Sequence, residues 1–265
     1  MQKLPIRIST ERWKQAQEWE LNLWRSQNRT KLFTWQELLK QLLRRTKSEH
    51  SDDWNFWWSE KFAGYQVLPK NLENAIELGC GPYTNMRLIL QGRCIEHVYC
   101  SDPLLKHYIT FSGKWLAEAW KRGDVLIDDH PLEECPFASD YFCLVVLINV
   151  LDHVKDSILC LRQAIRITKP GGYLIVGQDL SNMEDVLQTG DDIGHPIRID
   201  RSTLDLELMP HFETVLYKTL GREEGRNPSA HYGTYIFIGR KRIRTSISTL
   251  SCKCSDSKNE GTPPP

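Results

Sequence analysis

The spacing of apolar positions changes character twice along the chain. Residues 8 to 63 read mostly as helix. In STERWKQAQEWELNLWRSQ, Trp13, Gln17, Glu20 and Trp24 recur at steps of three and four behind a Ser9 or Thr10 cap. TWQELLKQLLRRT repeats the pattern behind Thr34, with Leu38, Leu39, Leu42 and Leu43 on one face. DDWNFWWSEKFAGY predicts a further helix, stopped at Gly64. From residue 74 short apolar runs alternate with helical stretches. NAIEL, HVYCS, DVLID, FCLVVLINV and GYLIVGQD predict strands, while NMRLILQ, KHYITFSGKWLAEAWKR and DSILCLRQAIRIT predict the helices between them. Strands apolar on both faces, alternating with helices, imply a mostly parallel sheet covered by helices. Pro170-Gly171-Gly172 predicts the turn into the fifth strand.

The last part breaks that rhythm. FETVLYKTL (212–220) and YGTYIFIGRK (232–241) are strand-like runs joined by a charged loop containing Gly and Pro. No helix fits between them, so they predict an antiparallel hairpin at the sheet edge. Beyond Lys241 the sequence is basic, then rich in Ser, Lys and Pro, which predicts a disordered tail. The expected organisation is a helical cap over residues 1–70, an α/β unit over 71–241 and the tail over 242–265.

Composition narrows the partners. Of 265 residues 40% are hydrophobic, enough for a packed core. Lys+Arg and Asp+Glu both number 34, so no net charge draws the chain to nucleic acid or an anionic membrane. The longest apolar stretch, LVVLINVL (144–151), is far short of the ~20 residues of a membrane span. Charged residues from Arg7 to Lys14 interrupt any signal-peptide core. The eight cysteines are scattered, several in strand-like runs, as suits reduced thiols in a cytoplasmic protein. These features point to a small-molecule substrate, with no nucleic acid and no membrane, and assign no oligomeric state.

One motif carries the candidate chemistry. In IELGCGPYTN (76–85), Gly79 and Gly81 close the first strand of the α/β part. A Gly-x-Gly turn at the carboxyl end of a strand lets backbone approach a ligand closely. Asp102 follows Gly81 by 21 residues and ends HVYCSD. A carboxylate there can accept hydrogen bonds from both hydroxyls of a ribose. Dinucleotide sites usually place a third glycine where this chain has Thr84, preceded by Pro82 and Tyr83. The competing nucleoside cofactor is S-adenosylmethionine, which carries no phosphate.

ELGCGPYT, SDP, LEECPFASDYFCLVVLINVLDHVKD, QAIRITKPGGYLIV and the closing hairpin together resemble the class I S-adenosylmethionine-dependent methyltransferases, and within them the type 11 group acting on small molecules. The likeness runs in order over residues 74 to 241, about two-thirds of the chain. It implies a Rossmann-like, seven-stranded, mostly parallel sheet with an antiparallel last strand. It also implies roles for matching residues. Glu77 is expected to anchor the methionine end of the cofactor, Gly79, Cys80 and Gly81 to pass beneath it, and Asp102 to hold the ribose. Pro103 and Leu104 are expected beside the adenine, with Leu132 and Glu133 touching it. Asn149 and Val150 are expected on the methionine side. The aromatic segment before the first strand is mainly core, with Trp57, Trp58 and Tyr65 as the members expected to reach a ligand, Tyr65 the cofactor.

Methyl transfer needs alignment of the acceptor with the sulfonium methyl, exclusion of water and, for an alcohol, a base. His153 follows the fourth strand directly and is the first candidate base, with Asp152 as its orienter. Asp179 ends the fifth strand, and His195 stands in DDIGHPIR, a loop expected to overhang the pocket. LDHVKD also resembles the magnesium-binding LDHWKD of catechol O-methyltransferases, through Asp152 and Lys155 with Asp179 as a second carboxylate. Leu180 replaces the Asn of that pattern, and two carboxylates alone make a weak magnesium site, so no metal is assigned. The expected acceptor is a hydroxyl on a sugar or natural-product scaffold, with nitrogen as the alternative. A cofactor-binding partner protein without catalysis is the reading from another class.

Overall fold

A computed structural model describes residues 4–28 and 53–243. The helix expected over 34–46 and the tail from residue 244 lie outside the described residues. The described residues form a seven-stranded sheet in the order β3-β2-β1-β4-β5-β7-β6. Its members are β1 (Asn71–Leu78), β2 (Cys94–Ser101), β3 (Leu126–Asp128), β4 (Phe142–Ile148), β5 (Thr168–Leu180), β6 (Phe212–Gly221) and β7 (Gly233–Lys241). Strands β1 to β5 are mutually parallel. β7 lies antiparallel between β5 and β6, so the closing hairpin forms with β6 at the edge.

The helices are α1 (Thr10–Asn28), α2 (Asp53–Lys61), α3 (Met86–Ile89), α4 (Leu105–Tyr108), α5 (Trp115–Arg122), α6 (Ser157–Ile167), α7 (Met183–Thr189) and α8 (Arg201–Leu208). Alternation along the central strands divides the core in two, because successive side chains leave opposite faces. Ile76, Leu78, Val145, Leu147, Val176 and Phe237 join Leu161 and Ala164 of α6 and Leu204 of α8. Ala75, Leu144, Val146, Ile175 and Ile236 join Trp58 of α2 and Leu116 of α5 on the other face. A buried Leu, Ile or Val contributes about 1.5–3 kcal/mol through area removed from water, so these strand faces hold the sheet rigid beneath the site. α2 sits directly on β5, where a Cβ at Gly177 would stand 2.8 Å from Cζ3 of Trp58.

Local details depart from the sequence expectations for identifiable reasons. The stretch 106–122 forms two helices, α4 and α5, separated at Gly113, which takes φ 70. β4 stops at Ile148, because Asn149 turns to φ 56 and leaves the ladder. Pro170-Gly171-Gly172 lies within β5, in an irregularity of its pairing with β4. Helices α7 and α8 were not expected, though each carries a cap visible in the sequence. Asn182 and Asp185 form a capping box, and Asp200 accepts from the amide of Thr203 at 2.8 Å. No described helix is long and apolar enough to cross a membrane.

Candidate active site

β1 lies between β2 and β4, and the chain crosses to opposite sides of the sheet from it, so a crevice opens at the strands' carboxyl ends. The two glycines at its rim serve different needs. Gly79 has φ 64, and a Cβ there would sit 2.5 Å from Cγ1 of Val150. Gly81 has φ 55, but its Cβ would meet nothing within 4 Å and would enter the open cleft. One glycine thus permits packing of the loop after β1 against the loop after β4, and the other keeps space for a ligand. The amide of Cys80 donates to the carbonyl of Ser101 at 3.1 Å, tying the glycine turn to β2.

Glu77 does not line the cleft. Its carboxylate lies beneath the loop and accepts from the Thr84 hydroxyl, from the amide and side chain of Asn85 at 3.1 and 2.8 Å, and from the Met86 amide at 3.2 Å. Burial raises its pKa, against the lowering effect of those hydrogen bonds. The expected contact with the methionine end is therefore replaced by a structural role, with Thr84 spent on Glu77. Asn55 of α2 reinforces the same turn, donating to the carbonyls of Tyr83 and Thr84 at 2.8 Å each.

Asp102 does line the cleft, between Gly81 and Pro103. One carboxylate oxygen accepts from the Gly81 amide at 3.0 Å and the other from the Leu104 amide at 2.8 Å. Each oxygen retains acceptor capacity for a hydroxyl. Burial, and then the nearby Glu20 carboxylate, push the Asp102 carboxyl up to about 7. Leu132 and Glu133 line the next part of the wall. Glu133 accepts from the amides of Lys155 and Asp156 at 2.6 and 3.0 Å, pinning the segment between β4 and α6.

Asn149 and Val150 also line the cleft, as does Arg226 from the loop between β6 and β7. Arg226 donates to Asn149 Oδ1 at 2.8 Å and, through two nitrogens, to Asp179 Oδ2 at 2.9 and 2.7 Å. Thr234 donates to the other oxygen of Asp179 at 3.0 Å. Asp179 is thus withdrawn from the cleft wall and engaged on both oxygens. It positions Arg226 rather than facing an acceptor, and it is not free to complete a magnesium site with Asp152. Arg226 escaped sequence reasoning because it lies 47 residues from Asp179, in an irregular loop with no periodic signal.

Opposite the glycine turn, Asp152, His153 and His195 converge, with one ligand-capable atom from each lying within 4.8 Å of the others. His153 and His195 line the cleft, and their rings are 4.6 Å apart. His153 Nε2 is 3.8 Å from Asp152 Oδ1, while its Nδ1 lies 3.7 Å from Glu20 Oε2. His195 Nδ1 is 3.0 Å from Asp192 Oδ2. Burial works against the charged His195, but the bond to Asp192 and the charge of Asp152 leave its pKa raised. Asp152 is buried, which alone would raise its pKa, yet His153, His195 and His231 hold it below the usual carboxylate range. Its two oxygens have no hydrogen-bond partner.

α1 forms the roof. Trp13, Gln17, Trp19, Glu20 and Trp24 all reach the cleft. Arg12 fastens α1 to the loop carrying His195, donating to the carbonyls of Asp192 and Ile193 at 2.6 and 3.0 Å. Trp19 packs so closely there that a Cβ at Gly194 would be 2.3 Å from its ring. In the aromatic segment, Trp58 lines the cleft, whereas Trp57 is partly buried against the core. Tyr65 does not reach the cleft; it is fully buried and stacks on Phe62 at 5.5 Å. Counted to its mouth, the cleft has about 1260 Å³ of unfilled space.

Residues 76–176 match the family model described as "Methyltransferase domain". No curated protein matches the sequence significantly. Among solved structures, the N-methyltransferase NodS from Bradyrhizobium japonicum WM9, in complex with S-adenosyl-L-homocysteine, is similar with a TM-score of 0.53 and 13% identity, over 78% of this chain and 97% of that one. A protein described as a sarcosine dimethylglycine methyltransferase from Galdieria sulphuraria aligns with a TM-score of 0.58 and 10% identity, over 72% of this chain and 86% of that one. The [4+2]-cyclase SpnF aligns with a TM-score of 0.52 and 16% identity, over 73% and 82% of the two chains. At these identities the structural likenesses speak for the fold, and SpnF shows that the fold also hosts other reactions. The match over residues 76–176 shows a methyltransferase domain there, and the sheet order with its antiparallel β7 is that of the Rossmann-like methyltransferase fold.

Proposed function

We propose that the chain transfers the methyl group of S-adenosylmethionine to a hydroxyl of a small molecule bound between the glycine turn and the roof formed by α1. The observation that carries this reading is that His153 and His195, with Asp152 buried beside them, line the same cleft as Gly79, Gly81 and Asp102. The sulfonium leaving group is already activated, so the protein's task is to align the acceptor and keep water out. A hydroxyl also needs somewhere for its proton to go, and an imidazole with a carboxylate behind it meets that need. His153 is the group proposed to receive the proton, with Asp152 and Glu20 near its two nitrogens. Asp102 would accept from the ribose hydroxyls, and Arg226, held by Asp179, would fix Asn149 near the methionine end. The aromatic side chains of α1 are proposed to select the acceptor, which makes residues 1–70 the specificity region.

The test is release of S-adenosylhomocysteine from a panel of sugars, polyols, phenols and amines. The expected result is turnover on a hydroxyl compound, with His153→Ala lowering kcat by about 10²–10⁴-fold while S-adenosylhomocysteine affinity holds within a few-fold. Turnover on amines alone would instead favour nitrogen, a reading supported by the Glu20 carboxylate, which lines the cleft. Failure of the wild type to bind S-adenosylhomocysteine in calorimetry would sink the donor assignment.

A further inference from the structure

The cluster at the acceptor end of the cleft is built almost wholly from acceptors. The Asp152 side chain is 4% exposed, and neither of its oxygens has a donor at close hydrogen-bond distance, the Gln178 side chain being the neutral donor acting on it. His153 Nδ1 is likewise buried without a hydrogen-bond partner. A carboxylate taken out of water without donors costs several kcal/mol unless a cation stands beside it. His195 is oriented to supply part of a binding site. Its Nδ1 faces Asp192, whose other oxygen is fixed by the amides of Gly194 and His195 at 2.9 and 3.1 Å, so Nε2 is the nitrogen left to face the cluster. His153 turns Nε2 toward Asp152 at 3.8 Å, and Glu20 stands 3.7 Å from its Nδ1 without a hydrogen bond. A carboxylate behind the far nitrogen of an imidazole is the arrangement that orients metal-binding histidines and raises their basicity.

We propose that Asp152, His153 and His195 hold a divalent transition-metal ion whose open coordination positions face the cleft. Two imidazole nitrogens and one carboxylate oxygen suit zinc, iron(II) or cobalt(II) better than magnesium, which prefers oxygen ligands. Ligand atoms at tetrahedral angles around one such ion are about 3.4 Å apart, given bond lengths of about 2.0–2.1 Å. The cluster, within 4.8 Å throughout, needs to contract by up to about 1.4 Å, within reach of rotamer adjustments of the two half-buried histidines. Three protein ligands leave a fourth position, as in catalytic rather than structural zinc sites. An acceptor hydroxyl bound there would lose its proton more readily through the charge of the ion, in place of removal by a free imidazole. That last consequence rests on the proposed acceptor chemistry; the metal site itself does not.

The test uses the full chain, stripped with chelator, dialysed and titrated with Zn²⁺ by calorimetry and with Co²⁺ by visible absorption. One equivalent is expected to bind at micromolar or tighter affinity, with cobalt d–d bands reporting nitrogen and oxygen ligands. Asp152→Asn and His195→Gln should each weaken binding at least tenfold, and Asp192→Asn, behind His195, by about 10–100-fold. S-adenosylhomocysteine affinity, measured on the same samples, checks that the variants fold and reads the donor site separately. Zinc binding without S-adenosylhomocysteine binding would leave this inference standing and remove the donor reading. No binding by the wild type at 100 µM Zn²⁺, or equal affinity in all three variants, would overturn the metal site. The second result would place the ion elsewhere on the chain.

Discussion

The two glycines of the cofactor turn should fail in different ways when each is replaced by alanine. Both have positive φ, which costs a residue with a Cβ about 1–2 kcal/mol. At Gly79 the new methyl would also lie 2.5 and 2.6 Å from the two γ-carbons of Val150. Overpacking of that kind adds about 1–3 kcal/mol, for a total of about 2–5. At Gly81 no atom lies within 4 Å, so only the backbone cost remains. Urea denaturation should therefore rank Gly79→Ala below Gly81→Ala by about 1–3 kcal/mol, the overpacking contribution alone. Combining Gly79→Ala with Val150→Ala should give a double mutant more stable than the sum of the singles by a similar amount, since the overlap is removed. Calorimetry should show the opposite ordering of causes. Gly81→Ala places its methyl in the cleft and should weaken S-adenosylhomocysteine binding by tenfold or more, about 1.4 kcal/mol, in a protein that loses only the backbone cost in stability. Equal destabilisation by the two variants, or no coupling between residues 79 and 150, would refute the steric assignment. Unchanged affinity in Gly81→Ala would refute the placement of the ligand.

Three further outcomes follow from the site. Because the Asp102 carboxyl is raised to about 7, chiefly by burial and then by Glu20, and because ribose hydroxyls need its ionised form, S-adenosylhomocysteine affinity should rise about tenfold from pH 6 to pH 8. Proton release on binding checks this, and Glu20→Gln should move the midpoint to lower pH, whereas a flat profile between pH 5 and 8 contradicts it. Arg226→Ala leaves the buried Asp179 carboxylate with only Thr234, and should cost about 3–5 kcal/mol in denaturant unfolding; a loss below 1 kcal/mol would mean the pair is solvated. Gly177→Ala forces Trp58 away from β5 and should lower stability by about 1–3 kcal/mol, with Trp fluorescence reporting the shift; an unchanged spectrum and stability would contradict the contact.

Glu77, Asp179 and Tyr65 show where reading along the chain stops. Each occupies a position that the family resemblance connects with ligand or catalysis, and each is turned into the protein by a neighbour outside its own element. Glu77 is claimed by Thr84, Asn85 and Met86, Asp179 by Arg226 and Thr234, and Tyr65 by the packing of Phe62. Conversely, Glu20 stood out in the sequence only as a member of a helix face and Trp19 not at all, yet α1 carries both into the cleft.

What the sequence determined by itself was local and periodic: the strand and helix alternation, the glycine turn, the acidic residue ending β2 and the closing hairpin. Those features depend on backbone dihedrals and on alternation of faces, both set within a few residues. The tertiary structure alone decided which side chains meet across long separations. His195 reaches His153, Arg226 reaches Asn149, and Arg12 reaches the loop at residue 192 only because packing over the whole sheet brings their elements together. No single local preference encodes such a meeting. It follows from the summed burial of both sheet faces, which is why the glycine turn was legible along the chain and the contacts among distant side chains were not.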